Sequence, residues 1–239
     1  MALLPWQKGV IIKTEDCSPS TRRFWIQISE LDRFDFKPGQ FVTLDLPIHE
    51  KPNKRWRSYS IASWPDGTNV FELVIVKVEN GLGTTYLFNE ATVGTELTLR
   101  GALGVFTLPE DLDKELLLIC TGTGIAPFRS MVHHLANHQI PFHRTHLIFG
   151  ARTQADLLYY DELKALEQRL PGFHYHPTLS RETWSGRSGY VHPVYQEICQ
   201  AHPPAHFYLC GWKNMIDEAI TTIKAMGYDR KSIHQEIYG

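Results

Sequence analysis

The 239-residue sequence contains no apolar run that approaches the ~20 residues of a membrane-spanning helix. Its first ten residues also lack the basic start and the long apolar core of a secretory signal. We therefore expect a cytosolic protein without a membrane span.

Cysteine is scarce, and charge of one sign does not dominate. The four cysteines are far apart in the chain, with no pair at CxxC spacing, which argues against disulfides and against a built-in iron–sulfur cluster. The net charge of -2 argues against nucleic acid as a bulk partner. The sequence also has no internal repeat and no low-complexity tract. With 43% hydrophobic residues, it has ample material for one large or two small folded domains.

The first half of the chain has the pattern of an antiparallel barrel. Six short segments rich in β-branched and aromatic residues are separated by turn signals such as Pro38-Gly39 and Pro65-Asp66-Gly67. The predicted strands are Val10–Thr14, Thr21–Ser29, Gln40–Leu46, Trp56–Ser63, Val70–Val78 and Glu96–Arg100. A short helix near Thr84, capped by a threonine, interrupts the series and creates an anion site of phosphate size.

The second half changes to strands that alternate with helices, which predicts a parallel sheet covered on both faces. The predicted strands lie near 116–121, 145–149, 173–179, 206–210 and 233–237. The fold class is therefore an N-terminal antiparallel six-stranded β-barrel followed by an α/β domain with a parallel five-stranded sheet. A charged stretch at 108–114 marks the boundary, so we predict domains at 1–110 and 111–239. Ligands of such sheets bind outside the carboxyl ends of the strands.

The segment 116–127 is a strand, a tight turn of small residues and a helix start, with Pro127 near the first helical position. Glycines at such a turn let the backbone approach a pyrophosphate, whose negative charge the helix start favours. The alternative is an ordinary turn of any parallel α/β protein, since the third glycine of the dinucleotide fingerprint is missing.

Several motifs occur together in this order, and their combination resembles the ferredoxin–NADP reductase superfamily over nearly the whole chain. They are Arg57-Ser58-Tyr59-Ser60, Gly83-Thr84-Thr85, Gly104-Val105-Phe106-Thr107-Leu108, Gly122-Thr123-Gly124-Ile125-Ala126-Pro127, Gly150-Ala151-Arg152 and Cys210-Gly211.

The resemblance implies a flavin held between the two domains, FAD in preference to FMN. It assigns Arg57 to the flavin pyrophosphate, a role that suits its planar donor fork. It places Tyr59 flat against the isoalloxazine and Ser60 near flavin N5. The other flavin-binding residues that it implies are Ser58, Val76, Gly83, Thr84 and Thr85. Without the resemblance, Arg57 would be read as a surface ion pair and Thr84 as a helix cap.

The resemblance also implies NADPH as the electron donor. Ser180 and Arg181 are similar to the residue pair that binds the 2′-phosphate, and Tyr190 is placed to stack on adenine. The expected neighbouring cation is replaced by Ser188, so we assign Arg187 as its substitute, while Glu182 argues for NADH. A solvated charged loop is the alternative. The remaining nucleotide-binding residues by resemblance are Thr121, Gly122, Thr123, Gly124, Pro127, Arg152, Gly211 and Met215.

The resemblance brings Cys210, Glu236 and Tyr238 to the position of hydride transfer, together with Ser60. Tyr238 would cover the flavin face opposite Tyr59 until the nicotinamide displaces it. Cys210 on its own would be read as a buried core thiol.

A ferredoxin or flavodoxin is the expected partner, and the basic loop with Lys51, Lys54 and Arg55 is a candidate docking site. The alternatives are a reductase that serves an oxygenase, a haem or free flavin, and a non-enzymatic flavin-binding subunit. We expect a monomer. No metal site is predicted from the histidines near positions 133–146, and Asp156 is expected to cap the following helix.

Overall fold

The computed structural model describes residues 4–238, which form two compact units. The first unit contains the chain up to Leu108 together with Ala126–His134, and the second contains Pro109–Ile125 and the chain from Leu135 onward. None of the helices within 4–238 has both the length and the apolar character needed to cross a membrane.

The first unit is the predicted antiparallel barrel. Its strands are β1 (Gln7–Ser18), β2 (Thr21–Gln27), β3 (Phe41–Asp45), β4 (Trp56–Ser60), β5 (Val70–Val76) and β6 (Glu96–Leu103), and its short helix is α1 (Leu82–Asn89). The strand order is β4-β3-β6-β1-β2-β5. A bridge between Ile61 and Leu73 joins the chain after β4 to β5 and closes the barrel. The six predicted strands are confirmed.

Apolar side chains from every strand fill the barrel, because alternate residues of each strand point inward. Ile11, Phe24, Leu44, Phe71 and Leu99 all belong to this core and are at most 1% exposed. Trp56–Ser63 was predicted as one strand, but β4 ends at Ser60, and the backbone then turns toward β5.

The second unit is a parallel sheet of six strands, not five. The strands are β7 (Glu115–Thr121), β8 (Arg144–Ala151), β9 (Phe173–Leu179), β10 (Arg187–Ser188), β11 (Ala205–Trp212) and β12 (Ile233–Tyr238), in the order β10-β9-β8-β7-β11-β12. The additional strand is β10. With only two residues, it is too short to show the alternation by which a strand is predicted.

Three helices lie wholly in the second unit: α3 (Tyr160–Arg169), α4 (His192–Ile198) and α5 (Lys213–Ala225). The helix α2 (Ala126–Asn137) is divided between the two units. Asp156 does not cap α3 as predicted. Its carboxylate accepts hydrogen bonds from the backbone N–H and the hydroxyl of Thr153, which caps a short 3-10 helix at Gln154–Asp156. The helix α3 begins only at Tyr160, after the left-handed residue Tyr159.

The first part of α2 packs with the barrel. Glu72 on β5 is 2% exposed and accepts hydrogen bonds from Nε and Nη2 of Arg23 at 2.6 and 3.2 Å. Nη1 of Arg129 on α2 donates to the same carboxylate at 3.0 Å and to the Ala62 carbonyl at 2.9 Å. A buried carboxylate requires such partners, so this network fixes the start of α2 on the barrel.

Candidate active site

Arg57 lies against the start of helix α1. A Cβ atom added to Gly83 would lie 3.0 Å from Cγ and 3.2 Å from Nε of Arg57, so glycine is needed for this approach. Nη1 of Arg57 donates to the carbonyls of Trp56 at 2.8 Å and Lys54 at 3.1 Å. The guanidinium is therefore held beside amides that have no intrahelical partner, an arrangement suited to a phosphate group.

Thr84 has a different role from the predicted cap. Its hydroxyl accepts a hydrogen bond from the Val78 N–H at 3.1 Å and lies 3.1 Å from the Gly81 carbonyl. The N-cap residue of α1 is Gly81, and no side chain caps it. Thr84 thus fixes the turn before α1. The N–H of Thr85 already bonds to the Gly81 carbonyl, so only its hydroxyl remains for a ligand.

Tyr59 is half-buried and packs against the barrel core. Burial raises the pKa of its phenol to about 12, although Arg57 acts in the opposite direction, so the ring is neutral at physiological pH. Ser58 lies on the other face of β4, where its hydroxyl is 3.0 Å from that of Thr43. Ser60 is 4% exposed and lies opposite Phe41. Val76 ends β5 opposite Thr21. The roles assigned to these side chains toward a flavin stay predictions.

The glycine turn after β7 packs directly on the end of β11. A Cβ atom on Gly124 would come within 2.5 Å of the Cys210 carbonyl oxygen, and one on Gly211 within 2.6 Å of the Thr121 hydroxyl. Gly122 has a φ of +54°, in the left-handed region. Thr123 is buried in the short 3-10 helix that follows. Two backbones therefore meet at the carboxyl edge of the sheet without an intervening side chain.

Three of the four predicted catalytic residues meet at the end of strands β11 and β12. The parallel register places Cys210 opposite Glu236, and Trp212 opposite Tyr238. Cys210 is fully buried. Burial raises the pKa of its thiol well above the usual value, and the nearby Glu236 carboxylate adds to this, whereas the Tyr238 hydroxyl acts in the opposite direction. Cys210 is thus a neutral thiol and not suited to nucleophilic attack.

Two exposed arginines lie side by side where strands β8 and β9 end. The N–H of Arg181 donates to the Arg152 carbonyl at 2.9 Å, and the N–H of Ser180 donates to the Ala151 carbonyl at 3.0 Å. Glu182, which had argued for NADH, accepts a hydrogen bond from the Gln154 N–H at 2.7 Å. Its carboxylate therefore holds the two loops together.

Arg187 was predicted as a substitute cation for the 2′-phosphate, but it forms an ion pair with Glu197 on α4. Nη1 of Arg187 lies 2.7 Å from the carboxylate, and this bond raises the pKa of the guanidinium.

Tyr190, by contrast, is 72% exposed, as expected of a ring that stacks on adenine. Met215, on α5, is 9% exposed and packs in the core of the second unit. Pro127 is the second residue of α2 and is counted with the barrel unit.

Trp212 is a residue that the sequence interpretation missed. Its indole is 58% exposed at the end of β11, next to Tyr238 across the parallel register. Its backbone N–H is 3.5 Å from the Thr121 hydroxyl. A large exposed ring at the ligand-binding edge of a sheet is a candidate for contact with a ligand. The sequence did not show this exposure, because a tryptophan is usually interpreted as a core residue.

A closed antiparallel barrel with an arginine at a helix start, followed by a parallel sheet with a glycine turn, defines a flavin- and nicotinamide-dependent oxidoreductase. Residues 8–108 match the family model of the oxidoreductase FAD-binding domain, and residues 118–220 match that of the oxidoreductase NAD-binding domain. The predicted preference for FAD over FMN agrees with the first match.

Similar proteins narrow this class. Ferredoxin–NADP reductase B of Sorangium cellulosum is 35% identical over 237 residues, which cover 95% of this chain and 96% of the relative. A crystal structure of a ferredoxin NADP+ reductase from Neisseria gonorrhoeae with bound FAD and NADP is 29% identical, with a TM-score of 0.80, and covers 97% of this chain and 98% of that chain. This protein belongs to the ferredoxin–NADP reductase family and is an NAD(P)H-dependent flavoprotein reductase.

The anthranilate 1,2-dioxygenase electron transfer component of Acinetobacter baylyi is 33% identical over 216 residues. The match includes 89% of this chain but only 61% of that relative, so the chain spans about three-fifths of the length of this oxygenase component. The predicted family, fold class, enzyme class and cofactor classes are confirmed.

Proposed function

We propose that this protein oxidises NADPH and passes single electrons to a ferredoxin or flavodoxin. When bound, FAD would accept a hydride from the nicotinamide and release electrons one at a time. The residues of this chain would supply binding and orientation. Arg57 and the first amides of α1 would hold the flavin pyrophosphate, because Gly83 leaves room for the guanidinium beside the helix start.

At the nucleotide sheet, Gly122, where an added Cβ atom would meet nothing within 4 Å, would let the dinucleotide approach the end of β7. The neutral Cys210 thiol would contact the nicotinamide, and Tyr238 would occupy the same place when no nucleotide is bound. Tyr190 would stack on the adenine.

The observation that carries the choice of NADPH is the pair of exposed arginines, Arg152 and Arg181, joined by a backbone hydrogen bond next to Ser180. Two guanidinium groups suit a 2′-phosphate, whereas a free ribose diol is usually bound by a carboxylate. The Ser180 hydroxyl donates to the Ala151 carbonyl at 3.3 Å. Glu182, the nearby carboxylate, already accepts a hydrogen bond from Gln154.

The test compares anaerobic reduction by NADPH and NADH in the wild type and in Arg181→Ala, Arg152→Ala and Arg187→Ala. Loss of one phosphate contact of about 1.5–3 kcal/mol raises the KM for NADPH by about 10- to 100-fold in the first two variants and leaves NADH unchanged. Arg187→Ala is the matched control, because its guanidinium pairs with Glu197. Equal use of NADH by the wild type, or an equal effect of Arg187→Ala, would contradict the proposal.

The acceptor assignment is supported by the relative that the chain matches over 96% of its length, a ferredoxin–NADP reductase. Lys51 and Lys54 are exposed at the turn before β4 and supply positive charge for an acidic carrier. Arg55 was predicted to join them, but its guanidinium forms a two-point ion pair with Asp45, with both distances at 2.7 Å.

A second candidate is a reductase that serves an oxygenase. It is favoured by the 33% identity to the anthranilate 1,2-dioxygenase component. Turnover with an acidic ferredoxin or a flavodoxin supports the first candidate, whereas turnover with an oxygenase component but with neither carrier supports the second.

A further inference from the structure

Two tryptophan rings meet on the face of the barrel strand β4 opposite Arg57 and Tyr59. Trp6 is 36% exposed and Trp56 38% exposed, and their ring centroids are 5.6 Å apart. Leu4, two residues before Trp6, is 43% exposed. Most large apolar side chains of this unit are buried, so the pair forms a local apolar patch.

Arg100 on β6 lies against both rings. The central carbon of its guanidinium is 4.7 Å from the centroid of Trp6 and 5.3 Å from that of Trp56. Within residues 4–238, its Nε is buried and has no hydrogen-bond partner. Cation–π contact with two indoles positions the guanidinium but does not satisfy this donor. We call Leu4, Trp6, Trp56 and Arg100 the tryptophan patch.

The surroundings of the tryptophan patch are positively charged. The exposed Lys51 and Lys54 lie five and two residues before Trp56. The carboxylate that faces Trp56 across the sheet, Asp45, is already paired with Arg55. The surface thus offers positive charge beside an apolar centre.

We propose that the tryptophan patch is the apolar centre of a docking surface for a small acidic electron-carrier protein, with Lys51 and Lys54 at its rim. Tryptophan and arginine are the residues that most often dominate binding energy at protein interfaces, and a charged rim surrounds them. Trp56 and Tyr59 are three residues apart on β4, about 10 Å along the strand. Docking there keeps the carrier close to the residues assigned to the flavin. This inference rests on the proposed function.

The experiment measures steady-state reduction of an acidic plant-type ferredoxin and of ferricyanide, a small acceptor that needs no docking surface. The variants are Trp6→Ser, which lies before β1, and Arg100→Gln. Each raises the KM for ferredoxin by about tenfold or more, as expected for the loss of an interface centre, while the rate with ferricyanide changes less than twofold. The matched control is Ile12→Ser, since Ile12 is a 42% exposed apolar residue on β1 outside the patch.

The outcomes separate the two claims. If both variants leave the KM for ferredoxin at the wild-type value, the docking surface is wrong and the proposed function stands. If the wild type reduces ferricyanide with NADPH but reduces no ferredoxin, the acceptor and the docking surface both fail. If it reduces neither with NADPH, the proposed function fails as well. A control variant that weakens ferredoxin turnover as much as Trp6→Ser also overturns the patch.

Discussion

Tyr238 ends β12 opposite Trp212 on β11, and its hydroxyl lowers the pKa of the Cys210 thiol. If the nicotinamide must displace this ring, the measured affinity is reduced by the fraction of molecules in which the ring has moved. Tyr238→Ser therefore lowers the dissociation constants of NADP+ and NAD+ and weakens the preference for the phosphorylated nucleotide. Equilibrium titration of the oxidised protein with both nucleotides checks this.

Tyr238→Phe is the control, because it keeps the ring and removes only the hydroxyl. If the ring is the obstacle, Tyr238→Phe has the same dissociation constants for both nucleotides as the wild type. Unchanged dissociation constants in Tyr238→Ser would show that the ring does not occupy the nicotinamide position.

At the residue scale, the sequence predicted residues that family motifs assign to one ligand, but it did not predict side-chain partners outside those motifs. Arg57 and Gly83 were assigned to one anion site and do lie together. The ion pair of Arg187 with Glu197 on α4 was not predicted, because nothing in the sequence links the two residues. The assignment of Arg187 to the 2′-phosphate stays a prediction. The use of the Thr84 hydroxyl by the preceding turn was equally invisible, since it depends on the backbone path at Val78.

The contact between the glycine turn and β11 makes a prediction about Gly124. A methyl group there would meet the backbone of Cys210 at 2.5–2.7 Å, which the sheet cannot relieve by rotating a side chain. Gly124→Ala therefore destabilises the protein by about 1–3 kcal/mol and raises the KM for the nucleotide. Urea unfolding and steady-state kinetics measure the two effects.

Gly122→Ala on the same turn separates steric overlap from backbone conformation. A Cβ atom at Gly122 meets nothing within 4 Å, although its φ of +54° is unfavourable for alanine. The expected cost is about 1 kcal/mol. If both variants are equally destabilised, close packing on Cys210 is not the reason for Gly124.

A row of histidines crosses the parallel sheet and predicts sensitivity to acid. Nδ1 of His146 lies 3.1 Å from Nε2 of His176, and its other nitrogen lies 3.1 Å from the buried Glu115 carboxylate. Burial lowers the pKa of His176 to about 4, with further contributions from His146, Arg187 and His174. Burial also lowers the pKa of His146, although Glu115 opposes this.

In the unfolded chain these histidines titrate near 6.5, so between pH 6.5 and 4 the unfolded state binds more protons. The free energy of unfolding therefore keeps its full value above pH 6.5 and decreases as the pH drops toward 4. For His176 the decrease is on the order of 1–3 kcal/mol. His176→Gln removes this contribution, so its Tm decreases less between pH 7 and pH 5 than that of the wild type. An identical slope in His176→Gln would contradict the assignment.

At the element scale, periodicity predicted the long strands and their order of appearance, because buried strands of five or more residues are distinctive. It missed β10, which consists of two exposed residues held by pairing with Thr178 and Leu179. The start of α3 was also placed too early, since the capping box at Thr153 resembles the start of a longer helix.

Viewed as a whole molecule, the chain passes between its two compact units three times, after Leu108, Ile125 and His134. The predicted division at residue 110 came from a charged stretch of sequence, and it stays a prediction. A compositional signal of this kind cannot show that part of a later helix packs with the barrel. That information lies in side-chain contacts, such as the ring contact between Phe106 and Phe128 and the stacking of Trp64 on His133.

The ion pair between Glu72 and Arg129 tests how much α2 contributes to the barrel. The carboxylate of Glu72 is 3% exposed and is paired with both Arg129 and Arg23. Arg129→Met removes one of these two cations and lowers the free energy of unfolding by about 3–5 kcal/mol. Glu72→Gln removes the buried negative charge, so the double variant is more stable than the sum of the single effects predicts. Urea unfolding of the wild type, both single variants and the double variant completes the cycle. Strictly additive effects would mean that the pair does not couple α2 to the barrel, and the first nine residues of α2 would then be held by apolar contacts such as that between Phe106 and Phe128.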